Sequence, residues 1–174
     1  MPLPIEDYAI IGDCHTAALV GRDGSIDWLC LPRFDSASTF GALLGTEDHG
    51  RWILAPTDPG ATSTRRYLDD TFVLVTTWTT PMGVVEVTDL MPHGDRRADV
   101  VRRVRGVSGS VEMHVDLRVR FGYADALPWV RQVSEDGRHA LIAIAGPDAV
   151  IMRGPELRAE DHRHTATFSV AKVE

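Results

Sequence analysis

Little in this chain invites cross-linking, membrane insertion or phosphate chemistry. It holds two cysteines, Cys14 and Cys30, too few for a disulfide framework. They flank one expected hairpin, so a bridge between them and a pair of reduced thiols both stay open. The N-terminus (MPLPIEDY) has no basic start followed by an apolar run, so it does not read as a secretory leader. No apolar stretch approaches the roughly 18 residues that a membrane-spanning helix needs. No face is densely basic, as a nucleic-acid surface requires. A Gly-rich phosphate loop is missing, since Gly21, Gly24, Gly41, Gly45 and Gly50 follow turn logic. So is the G-x-S-x-G element of a serine nucleophile. These absences point to a soluble, cytoplasmic protein with no cofactor and no membrane or nucleic-acid partner.

What is present is material for a sheet. The chain has 174 residues, about one ordinary domain, with 44% hydrophobic residues and a net charge of −7 spread over short alternations of sign. A chain of this length buries about two-thirds of its unfolded surface. Val111, Met113, Val115, Leu117 and Val119 alternate with Glu112, His114, Asp116, Arg118 and Arg120. Only a strand sorts that pattern into one apolar and one charged face. Residues 71–80 are β-branched and aromatic, break at Pro81-Met82-Gly83, and resume as a strand over 83–90. Residues 17–20 and 25–30 flank Arg22-Asp23-Gly24, where Asp-Gly supplies the backbone angles of a tight hairpin.

Further strands are expected over 51–54, 100–107 (ending at a turn across 106–109), 129–133, 140–144, 150–153 and 165–173, with a turn at Glu135-Asp136-Gly137. Residues 59–64 read as a surface loop. One short helix is expected, with Ser36 and Ser38 as caps and Phe40, Leu43 and Leu44 as its apolar stripe. Roughly ten strands with regular turn signals define an all-β antiparallel β-sandwich, supersandwich-like, forming a single domain over 1–174. The last segment reads as strand to the final residue with no terminal turn, as at a boundary inside a longer protein.

Several side chains carry chemical promise. Asp13, Asp27, Asp35 and Asp89 are candidates for a carboxyl pair, with Asp69 and Asp70 behind them. The plainer account puts Asp27 on a solvated strand face and Asp13 and Asp35 on turn or helix-end amides. Trp28, Arg33, Asp35 and Phe40 are the candidate substrate-binding group. Sugar sites pair an aromatic face, which covers C–H surface, with Arg and Asp that bind hydroxyls. The alternative is that Trp28 and Phe40 fill the core while Arg33 and Asp35 fix a loop. Trp52, Trp78 and Trp129 read as core or sheet-face residues. His162 and His164 would share a strand face, yet nothing fixes a third metal ligand, so no metal site is assigned.

The segment 5–45 (IEDYAIIGDCHTAALVGRDGSIDWLCLPRFDSASTFGALLG) resembles the opening of the glucoamylase- and trehalase-like enzymes of glycoside hydrolase family 15. The matching positions are Asp7-Tyr8, Ile11-Gly12-Asp13, 16–20, 23–28 and 32–36. Further on come Gly50 and Trp52, Arg66-Tyr67-Leu68, Thr71, Asp89, Met91-Pro92, Arg102-Arg103-Val104 and Gly109. The likeness covers 5–110 well and the remainder loosely. It implies a non-catalytic N-terminal β-sandwich ahead of an (α/α) barrel that hydrolyses α-glucosides with inversion. Inversion needs two carboxyl groups roughly 6.5–9.5 Å apart. The family's catalytic glutamates lie in the barrel, so no catalytic residue is assigned here. The implied partner is that barrel, with an α-glucoside sugar near the 28–40 loop and an exposed apolar patch where the barrel docks. The alternative is a stand-alone carbohydrate-binding module, marked by an exposed pair of aromatics such as Trp78 and Trp129.

Overall fold

A computed structural model describes residues 2–94, 97–135 and 137–172. The expected turn position Asp136 and the strand end at Val173 and Glu174 lie outside the described residues. Fourteen strands run along the described chain, almost all antiparallel: β1 (Tyr8–Gly12), β2 (Ala17–Gly21), β3 (Ser25–Cys30), β4 (Ser38–Phe40), β5 (Arg51–Pro56), β6 (Thr62–Tyr67), β7 (Leu74–Thr80), β8 (Gly83–Leu90), β9 (Val101–Arg118), β10 (Trp129–Glu135), β11 (Arg138–Ala145), β12 (Asp148–Gly154), β13 (Arg158–Glu160) and β14 (Arg163–Ala171). Among the described residues no helix is long and apolar enough to cross a membrane.

The 18-residue β9 organises the molecule. Its first half pairs with β8, extending the layer β6–β7–β8. Its second half pairs with β5 on one side and β14 on the other, joining β1–β2–β3–β5 and β13–β14 into a curled main sheet. The expected turn across 106–109 is instead a bend within one strand. Gly109 has a φ of +62°, and a Cβ there would stand 2.1 Å from the Met82 carbonyl. The register also slips opposite Val84 and Val85. Two glycines and a bulge therefore redirect the strand without ending it.

The β2–β3 hairpin shows sequence chemistry acting locally. Gly24 has a φ of +82°, and a Cβ would meet the Leu54 carbonyl at 2.6 Å. Asp23 Oδ1 accepts the Ser25 amide at 3.0 Å, closing the turn. Where one helix was expected, the chain instead forms β4, paired to β3 at Leu29–Phe40, followed by a single 3-10 turn over Ala42–Leu44. Tertiary pairing of Phe40 overrides the weak helical spacing. The expected surface loop likewise becomes strand from Thr62 onward, because Thr62–Tyr67 pairs in register with β7.

β10, β11 and β12 form a separate three-stranded meander. Its Leu141 and Ala143 are buried, and they join one continuous core with Ile11, Ile26, Leu29, Met113, Val115 and Leu117 of the main sheet and Trp78, Val85 and Val87 of the β6–β8 layer.

The layers are clamped by one buried ion pair. Arg102 and Asp89 are each 1% exposed, with Nε donating to Asp89 Oδ1 at 2.8 Å. Arg102 also donates to the Trp52 and Gly24 carbonyls, both at 2.9 Å, and its guanidinium lies 5.2 Å from the Trp52 ring centre. A buried pair with its donors satisfied tolerates its own desolvation.

Candidate functional site

The candidate carboxylates are each tied to a different partner. Asp13 is buried, and its Oδ1 accepts the His15 amide at 2.9 Å and the Thr16 amide at 2.8 Å, an Asx-type turn. Asp27 is buried, not solvated, and its Oδ2 accepts the Tyr8 hydroxyl at 2.6 Å. Burial raises the Asp27 carboxyl above its ordinary range, against the pull of the Tyr8 and Ser25 hydroxyls. Tyr8 is pushed upward as well, by burial and by that hydrogen bond. Asp89 holds Arg102. Asp35 caps no helix, since none follows. It pairs instead with Arg33 Nε at 2.9 Å, and that bond is the main cause that holds its carboxyl pKa below the ordinary value. No two of these four carboxyl groups face each other through hydrogen bonds.

The four residues of the candidate sugar group are dispersed. Phe40 is buried in the core, Trp28 is half-buried on β3, and Arg33 and Asp35 are exposed as an ion pair. The loop between them is held by the Phe34 amide on the His15 carbonyl at 3.1 Å and by Ser36 Oγ on the Arg33 amide at 3.1 Å. Phe34 itself points largely into solvent. Cys14 and Cys30 are both free thiols, Cys14 exposed and Cys30 buried.

Two clefts border the small meander. One, of about 540 Å³, lies between β12 and the main sheet and is lined by Leu29, Phe40, Trp52, Leu117, Val150 and Met152. The other, of about 510 Å³, is lined by Arg120, Trp129, Leu141, Asp161, His162 and His164. His162 sits in the two-residue turn of the β13–β14 hairpin, where Asp161 and His162 both have positive φ (44° and 57°). It is exposed, whereas His164 lies on β14 and is buried, so the two do not share a strand face. Burial, with Arg120 alongside, depresses the His164 pKa. Arg120 Nη1 donates to the Val119 and His162 carbonyls at 2.8 and 3.1 Å. No group of three or more His, Cys, Asp or Glu among the described residues could hold a metal ion.

Trp129 was expected in or beside a strand, as a core or sheet-face residue or as one of an exposed aromatic pair. It is 89% exposed, while Trp78 is 6% exposed, so the two do not form a pair of surface aromatics. A readable signal was the unbroken apolar run over 140–145, which in a strand implies cover on both faces.

In this antiparallel β-sandwich Asp13, Asp27, Asp35 and Asp89 are each held by a partner within the chain. The family model described as "Trehalase-like, N-terminal" matches residues 1–172, and the chain belongs to that family. It is 35% identical over 139 residues to a trehalase of Mycolicibacterium smegmatis, covering 69% of this chain and 21% of that protein. A trehalase of Mycobacterium tuberculosis is 37% identical over 139 residues (69% and 20%). Trehalase 1 of Sulfolobus acidocaldarius is 34% identical over 135 residues (78% and 23%). The chain thus spans about a fifth of the length of the curated relatives it matches. No solved structure matches it.

Proposed function

We propose that this chain is the non-catalytic N-terminal β-sandwich of an inverting α-glucoside hydrolase of trehalase type, soluble and cytoplasmic, that packs against an (α/α)-barrel catalytic domain. The observation that carries this reading is the pairing of family with geometry. The chain belongs to a trehalase-like N-terminal family, and its candidate carboxylates are spent on the Asp13 turn, Tyr8, Arg33 and Arg102. A pair that releases a leaving oxygen and activates water needs one protonated and one free carboxyl facing a common sugar. Within the domain the loop over 31–37 is the part that would shape a neighbouring sugar pocket. Its Arg33, Phe34 and Asp35 are exposed, while Trp28 and Phe40 anchor its two ends.

The test is glucose release from trehalose, measured for the 174-residue chain alone and for the same chain placed ahead of the catalytic part of the Mycolicibacterium smegmatis trehalase. No release by the chain alone and turnover by the fused protein is the expected result. Turnover by the chain alone would sink the non-catalytic role.

A further inference from the structure

A sheet strand covered on both faces reads as a continuous apolar run, and one covered on a single face alternates. β11 contains Ala140-Leu-Ile-Ala-Ile-Ala145, the first kind, yet among the described residues only one of its faces is well covered. Leu141 and Ala143 point into the core at 3% and 0% exposure, so Ile142 and Ile144 point the opposite way. The register extends that outward face across the whole meander. Trp129 stands beside Ile144, and Ile142 stands between Arg131 and Ile151. Neighbours directly opposite on one sheet face lie within about 5.5 Å of one another at Cβ. Their exposures are 89% for Trp129, 53% for Ile151 and 47% for Ile144. Scattered surface hydrophobes need no cause, but a contiguous face of this kind marks a contact surface.

We infer that the outward face of the β10–β12 meander, centred on Trp129, Ile144 and Ile151, is the surface on which the catalytic part of the longer protein docks. The inference rests on the reading under Proposed function and adds the face to it. Two observations select this occupant. The relatives continue for about four-fifths of their length beyond what this chain matches, so a large partner is available to cover the face. By register Arg131, Arg138 and Arg153 stand on the same face, beside Ile142, Glu135 and Ala140, so its charged positions are cationic in excess. A second copy of this chain would bring like charges together across a two-fold axis, which is unfavourable, whereas a partner with an acidic rim is complementary.

Hydroxyl-radical footprinting of side chains tests this, comparing the 174-residue chain with the fused trehalase described above. Labelling of Trp129 is expected to fall several-fold in the fused protein, while Met82 and Phe72, exposed elsewhere, keep theirs. Ile151→Lys in the fused protein is expected to restore Trp129 labelling. If Trp129 stays labelled while Phe34 or another surface becomes protected, this face is wrong although the domains dock. If no side chain gains protection, docking itself fails. If Trp129 is protected in the chain alone as its concentration rises, with a dimer by sedimentation, the occupant is a second copy and the inference is overturned.

Discussion

On the outer face of the main sheet Asp116 and Arg118 are buried and answered from within. Arg118 reaches Asp116 at 3.3 Å, Asp48 at 3.0 Å and Glu47 at 3.1 Å, beneath the short turn that carries those last two residues. On the outer face of the β10–β12 meander, Trp129, Ile144 and Ile151 stay exposed among the described residues. The first face is completed by local chain, the second is open among the described residues. Polar groups buried without partners are costly and are therefore matched inside the fold. Apolar groups left in water cost less individually, and their burial can be deferred to association.

That contrast is most easily broken where the fold is most complete. Arg102→Ala strands Asp89 in the core and removes donors from the Trp52 and Gly24 carbonyls, so a loss of about 3–5 kcal/mol is expected in urea unfolding. A loss under about 1 kcal/mol would mean that the clamp does not join the layers. Gly24→Val must take a positive φ and press toward the Leu54 carbonyl, costing about 2 kcal/mol or more. Calorimetry of that variant against Gly45→Val separates a turn requirement from a general dislike of bulk.

Acidity probes the rim of the Arg120 cleft. His164 has its pKa depressed by burial and by Arg120, so the unfolded chain binds its proton more readily. The stability it contributes is complete above about pH 6.5, the ordinary imidazole value, and declines as pH drops through the depressed one. Denaturation curves collected downward from neutral pH should show this slope, and His164→Gln should flatten it.

The incomplete face should respond least in stability. Trp129→Ser or Ile151→Lys is expected to shift the unfolding free energy of the isolated chain by no more than about 0.5 kcal/mol, since Trp129 is 89% and Ile151 53% exposed. A strongly destabilised variant would show that this face is already covered. Asp35→Ala, at the exposed Arg33 pair, should leave the melting temperature unchanged while remaining available to alter sugar turnover in a fused enzyme.

Much of the scaffold was legible along the chain. The alternation over 111–119 gave β9 its apolar and charged faces, and Asp23-Gly24 gave the hairpin its turn. The motif residues Asp13, Asp89 and Arg102, which carried the family resemblance, prove to be structural: an Asx turn and a buried clamp. The site was less legible. Phe40 and Trp28 sit twelve residues apart and could face one pocket in principle, but pairing of Phe40 with Leu29 sends its ring into the core.

The sequence by itself determined most strand character, the Asp23-Gly24 turn and the family, because periodicity, Asp-Gly chemistry and short motifs act over a few neighbouring residues. Only the tertiary structure decided which faces are covered: that β9 bends and continues through Gly106 and Gly109, that Asp27 is buried against Tyr8, and that the apolar run of β11 is covered on one side alone. Burial depends on what packs against a strand from far along the chain, and alternation within the strand does not encode that partner.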